Sequence, residues 1–162
     1  MGVKVITPAT QQITTAELRL QGRADPAETT EDNLFVGWLA GAVKLAEQYT
    51  KRSIGSQTLE LALEAFPAGA IELPRGPVTS ITSIKYIDTA GVEQTLSAGQ
   101  YSLDEYGLVA RAVLAYGSTW PATRQVANAV KVRYVAGDLD PAVKAALLLT
   151  VAHLYENREA RE

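Results

Sequence analysis

The chain has 162 residues, 47% of them hydrophobic and 20% charged, with a net charge of −3, an isoelectric point near 5.3 and a mean hydropathy near zero. That length fits one domain, or one domain with a small attached subdomain, of ordinary soluble composition. The acidic balance argues against a strongly basic surface that would grip nucleic acid, and the absence of cysteine removes disulfides and thiolate metal sites. No apolar run approaches the roughly 18–20 residues needed to span a bilayer, so no membrane partner is expected. Met1 to Pro8 is too short for a secretory signal, and Ile6 stands where myristoylation expects Ser or Thr. These features predict a soluble cytoplasmic protein.

In chain order, residues 1–13 read as an extended lead-in with a short strand at Val3 to Ile6. Thr14 and Glu17 then fit a capping box, in which the Thr hydroxyl accepts a backbone N–H and the Glu carboxylate reaches back. The helix they start runs through Leu18 and Leu20 and stops near Gly22. Asp25-Pro26 marks the next loop. From Thr30 to about Lys51, Leu34, Phe35, Trp38, Leu39, Ala42, Val43, Leu45, Ala46 and Tyr49 recur at spacings of three and four. That spacing predicts a long amphipathic helix with Lys44, Glu47, Gln48 and Lys51 on its wet side and Gly55 as terminator.

The middle switches to period two. Leu59, Leu61 and Leu63 predict a strand with one buried face. Phe66 to Gly69 is a turn, and Ala70 to Leu73 a short strand. Ile81, Ile84, Tyr86 and Ile87 mark a strand that turns at Asp88 to Gly91 into Val92 to Leu96. Tyr101 to Asp104 and Leu108 to Arg111 form a pair around Tyr106-Gly107. From Val113 to Asn128 the pattern is lost, and Gly117, Ser118, Pro121 and Thr123 predict a long ordered loop. Val130, Val132 and Tyr134 then point inward from a last strand. Asp140 and Pro141 cap a final helix that is apolar on most sides and is therefore expected to be buried on more than one. Its end, Glu156 to Glu162, is charged. Helices segregated from antiparallel strands predict an α+β fold, with the long C-terminal helix packed on the long N-terminal one. The helical part would span 14–54 and 140–162 of a single domain, with a β-rich insertion at 56–136.

No motif by itself points to a chemistry. There is no phosphate-cradling glycine loop and no nucleophile elbow, and the lone His153, read as a packing-edge residue, makes a zinc site improbable. Asp104 and Glu105 are adjacent on a strand, so their carboxylates face opposite ways and would not cooperate in acid–base work. Lys51 and Arg52 read as a solvated helix end. Trp120, beside Pro121 and Arg124, reads first as a loop anchor and second as a subunit contact, since Trp and Arg are typical interface anchors.

Five stretches taken together carry a resemblance: Glu64 to Pro77, Val78 to Asp88, Ala115 to Arg124, Asn128 to Gly137 and Ala152 to Ala160. In this order the chain resembles the head–tail connector (adaptor, or head completion) proteins of tailed bacteriophages, also found in prophages and gene transfer agents. The resemblance implies a structural virion protein without catalysis or cofactor. It implies a homo-oligomeric ring, commonly twelvefold, that docks under the portal protein and extends the DNA channel. The packaged head is thereby joined to a downstream neck or tail-completion protein. It leaves the free oligomeric state open, a monomer that assembles only on the portal being compatible with it. A mildly acidic wall suits passive contact with DNA, because tight binding needs Lys and Arg on phosphates. On this reading the tail residues Tyr155, Glu156, Asn157, Arg158, Glu159 and Arg161 are expected at the portal interface, and Trp120 and Arg124 at a subunit interface. Competing readings are a DNA-packaging factor such as a small terminase-like DNA binder, a more distal neck or tail-completion protein, and a small hydrolase or sugar-binding module. The first lacks a basic recognition helix, and the hydrolase lacks a nucleophile–base pair.

Overall fold

The computed structural model describes residues 2–157. Its elements are β1 (Gly2–Thr7), α1 (Thr15–Gln21), α2 (Asp32–Thr50), β2 (Gln57–Leu63), β3 (Ile71–Leu73), β4 (Val78–Ile87), β5 (Glu93–Thr95), β6 (Tyr101–Asp104), β7 (Ala110–Leu114), β8 (Val130–Ala136) and α3 (Pro141–Glu156). The fold is α+β, with all strand pairs antiparallel and α3 packed on α2. The chain divides into two compact units, one of Met1–Thr10 with Gly55–Asp138 and one of Gln11–Ile54 with Leu139–Glu162.

The β-rich unit holds a five-stranded sheet in the order β1-β2-β8-β4-β5 and a three-stranded sheet in the order β3-β7-β6. Period-two alternation decides which side chains meet in its core. Leu59 and Leu61 of β2, Ile84 of β4, and Val130, Val132 and Tyr134 of β8 are fully buried, joined by Ile71, Leu73 and Ala112 of the smaller sheet. Burial pushes the Tyr134 phenol up to about 12, and its O–H donates to the Pro74 carbonyl at 2.8 Å. Strand β7 runs on to Leu114, past Val113 where the sequence pattern is lost. Its pairing with Tyr101 and Ser102 of β6 holds Leu114 and Val113 in the ladder although neither alternates cleanly.

In the helical unit, Thr14 and Glu17 form the reciprocal capping box of α1, and Gly22 closes that helix. Phe35, Leu39 and Ala42 of α2 and Leu147 and Val151 of α3 are buried together with Ile13 and Leu18. Three expectations fail here. Leu34, Leu45 and Tyr49 of α2 are exposed, because Leu34 and Leu45 lie about 80–100° around the helix from the Phe35–Leu39–Ala42 line and Tyr49 falls in the last turn. Helix α3 buries one side, not several: Leu149 is 61% exposed and Ala142, Ala145 and Ala146 also face out. Helix α3 packs on α1 and α2, and packing covers only the side that meets those neighbours, whatever the rest of its surface carries. Gly55 is not the terminator of α2. Lys51 is, in the left-handed conformation at φ 56°, and Gly55 (φ +76°) lies in the connection that leads on to β2.

The Glu17 carboxylate also accepts from Lys144 of α3 at 2.5 Å. That bond, then the Thr14 N–H, lowers its pKa from 4.5 to about 2. A carboxyl held below its unfolded value stabilises the fold fully above about pH 4.5 and loses that contribution as pH falls toward 2. Glu17→Gln should therefore lower the melting temperature at pH 7 and match the native chain near pH 2. Thermal unfolding followed by circular dichroism at pH 7, 4 and 2 checks this, and a deficit of the same size at all three would refute it.

Candidate functional site

The loop of residues 115–129 that comes after β7 carries the features most suited to contact. It turns at Gly117, where φ is +77°, and at Ala115, whose carbonyl accepts from the Ser118 N–H at 3.0 Å. That turn delivers Trp120 onto Phe66, with the rings stacked at 4.9 Å and 4° between planes. Trp120 Nε1–H donates to the Gly69 carbonyl at 2.8 Å, and Phe66 sits edge-on to Tyr86 at 5.6 Å. The loop is thus pinned to the β-rich unit by an aromatic stack and one directed hydrogen bond.

Beside this stack lies an open groove of about 780 Å³, lined by Phe66, Pro67, Leu114, Trp120, Pro121 and Thr123 among others. Its lining side chains are all uncharged, apolar or hydroxyl-bearing. The groove thus offers aromatic and aliphatic contact area alongside the hydroxyls of Ser118, Thr119 and Thr123. Arg124 follows Thr123, which lines the groove, and is exposed. Its backbone N–H donates to the Ile87 carbonyl at 3.0 Å, and its guanidinium lies over Gly91 of the β4–β5 turn. Gly91 has φ +90°, a conformation that favours glycine, and the tip of the Arg124 side chain occupies the space where a Cβ would stand. The turn is itself braced by Asp88, whose carboxylate accepts from the Val92 N–H and from Gln94; both bonds lower its pKa.

The two residues expected at a subunit contact therefore share this loop but have different supports, Trp120 on Phe66 and Gly69, Arg124 over the β4–β5 turn. The residues expected at a portal contact divide further. Tyr155 is half-buried in the helical unit, stacked on Phe35 at 4.8 Å and edge-on to Trp38 at 6.3 Å, and its O–H donates to Glu31 at 3.1 Å. Its ring belongs to the helix core. Glu156 and Asn157 are exposed, with Asn157 closing α3 through bonds to the His153 carbonyl at 2.9 and 3.0 Å. Arg158, Glu159 and Arg161 lie outside the described residues. His153 is exposed rather than at a packing edge, its Nδ1 3.2 Å from the Asn157 amide.

Several exposed cations are already paired. Arg133 meets Glu60 at 2.7 Å, Lys85 meets Glu93 at 2.9 Å, and Arg111 meets Asp104 at 2.7 Å. Asp104 is thus committed to Arg111, which lowers its pKa, while Glu105 sits exposed in the next turn. Among the described residues no cluster of three or more His, Asp or Glu is placed to hold a metal ion, and no helix is long and apolar enough to cross a membrane.

Several chains of solved structures match, among them three that cover the whole chain. One is a chain in the virion of a native gene transfer agent particle, 25% identical, with a TM-score of 0.79 and 88% of that chain covered. A second is a chain in the neck of an empty gene transfer agent particle computed with C6 symmetry, 24% identical, TM-score 0.80, 87% covered. The third is in the neck of a native particle computed with C12 symmetry, 24% identical, TM-score 0.72, 87% covered. The chain has the fold of a gene transfer agent neck component. No protein-family model and no curated protein matches it.

On this fold, the groove is the feature that reading along the sequence missed. Phe66 reads there only as part of a turn, and nothing in its spacing pairs it with Trp120, 54 positions on (120 − 66). Tyr106 and Leu108 are also missed. Tyr106 reads as a turn residue and Leu108 as the start of the following strand, which begins instead at Ala110; two large apolar side chains flanking Gly107 at a turn, where polar residues are usual, were a signal. Trp120→Phe, which keeps a stacking ring and loses the bond to Gly69, should cost about 1 kcal/mol. Trp120→Ala should cost about 2–3 kcal/mol, toward the low end for a large aromatic because the ring is half-buried. Urea denaturation of the two variants decides; equal losses would mean that the stack contributes nothing.

Proposed function

We propose that the chain is a structural virion protein, a head–tail connector that forms a ring under the portal protein, extends the DNA channel and joins the packaged head to the neck and tail. The observation that carries this reading is the match, over the full length of the chain, to a chain of a neck computed with C12 symmetry. Twelve copies in a closed ring need a heterologous contact, in which one face of a subunit meets a different face of the next. The aromatic groove with Trp120 and Arg124 supplies one such face. The outer end of α3, from Glu156 and Asn157 onward, is the portal-facing end, with Tyr155 as the anchor that fixes its direction. Several exposed cations, Lys85, Arg111 and Arg133, are held by carboxylates of the same chain, which favours DNA sliding over gripping. The protein would be made in the host cytoplasm and act in the particle without catalysis.

A second reading places the chain lower in the neck, as a tail-completion protein. The match to a neck computed with C6 symmetry favours it. A small terminase-like packaging factor would instead bind DNA with steep salt dependence.

Mixing the purified protein with its portal and measuring mass separates these readings. A complex near one copy per portal subunit is the expected result; a protein that ignores the portal overturns the connector role and leaves the distal one, and salt-sensitive DNA binding brings the packaging factor forward. Deleting residues 156–162 while keeping Tyr155 should abolish portal docking and leave the melting temperature of the chain nearly unchanged. Docking by the shortened chain at native strength would remove the tail from the interface.

A further inference from the structure

The turn between β6 and β7 presents two large apolar side chains entirely to solvent: Tyr106 is 101% and Leu108 109% exposed. The turn is held out rather than loose. Asp104 at its base accepts from the Tyr106 N–H at 3.3 Å and from Arg111 across the ladder at 2.7 Å. Exposing this much apolar surface at a braced tip is unfavourable in a free chain and favourable only when something covers it. At the other end of the same strand, Leu114 lines the aromatic groove. The five residues of β7 separate tip from groove by roughly 17 Å at about 3.3 Å per residue, so the tip cannot fill the groove of its own chain. The two surfaces match in kind. The groove, about 780 Å³ in volume, is uncharged and aromatic-walled, with the exposed Arg124 following its lining residue Thr123; the tip is apolar and carries the exposed carboxylate of Glu105.

We propose that the β6–β7 tip of one copy inserts Tyr106 and Leu108 into the Phe66–Trp120 groove of the next copy, with Glu105 meeting Arg124 at the rim. This inference rests on the ring reading and names the partner of the Trp120–Arg124 face. It also meets the requirement of a closed ring, because tip and groove are different surfaces of one chain and each subunit offers one of each to opposite neighbours. Buried aromatic anchors at such a contact carry most of the binding energy, with the charged pair at the rim setting register.

The chain has no cysteine, so introduced thiols are the only ones it carries. A variant with Leu108→Cys and Ala122→Cys, both at exposed positions, is assembled with the portal and treated with a short bismaleimide. A ladder of covalent dimers, trimers and higher multiples on a denaturing gel is expected, with no ladder from either single variant. In parallel, Glu105→Arg and Arg124→Glu should each weaken assembly about fivefold, and the double reversal should recover most of the loss. A complex of ring mass that gives no ladder and no charge-swap recovery overturns the tip-in-groove contact and leaves the ring reading standing. Dimers from Leu108→Cys alone indicate a like-to-like contact and likewise overturn it. A chain that stays monomeric with and without the portal overturns the ring reading and this contact together.

Discussion

Strand β8 is the constraint on which the β-rich unit depends. It pairs along its full length with β2 on one side and with β4 on the other, and Val130, Val132, Tyr134 and Ala136 are wholly buried. A central antiparallel strand with four buried positions fixes the register of both neighbours, because a one-residue slip would turn all four outward. Tyr134 adds a polar tie: its phenol reaches the Pro74 carbonyl beyond the end of β3, so a buried hydroxyl finds its partner and the loop between β3 and β4 is held in place. The strand is entered from the loop of residues 115–129 and left through Gly137, whose N–H donates to the Pro77 carbonyl at 2.8 Å. That loop therefore leads directly into β8, and a short link after the strand ends at Asp140, the cap of α3.

The loop of residues 115–129 shows how an irregular segment can be rigid without secondary structure. Its backbone has few partners of its own, so side chains provide the fixed points: Trp120 on Phe66 and Gly69, and the Arg124 guanidinium over Gly91. Both fixed points leave apolar or charged surface facing outward. A loop anchored in this way loses little further freedom on meeting a partner, which lowers the ordering cost of association. The same holds for the β6–β7 turn, where Asp104 and Arg111 brace two exposed apolar side chains.

The helical unit obeys a different logic. Its core is a stripe on α2 and a stripe on α3, joined by the Phe35–Tyr155 stack and by Lys144 bound to Glu17. The outer side of α2 mixes apolar and polar residues, Leu45 and Tyr49 beside Lys44 and Gln48, with Gly37 and Gly41 open to solvent. Tyr155 joins the two roles of the C-terminal helix, since its ring belongs to the core and the next residue begins the charged end.

The elements and their faces are written in the chain itself. Capping residues Thr14, Glu17, Asp140 and Pro141, the period-two runs in β2 and β8, and the three-four spacing of α2 each encode their structure locally, within a few neighbouring positions. The segregation of helices from strands is legible in the same way. Which apolar residues are covered is settled by packing alone, because Leu45, Tyr49 and Leu149 carry hydrophobic side chains as Leu39 and Leu147 do and differ in whether a neighbour lies over them. Folding in three dimensions also brings Phe66 to Trp120 and Arg124 to Gly91, contacts between segments with no shared periodicity. The tip and the groove at the two ends of β7 belong to this second class. A strand's length sets the distance between its ends, but only the surrounding packing leaves one exposed and the other hollow.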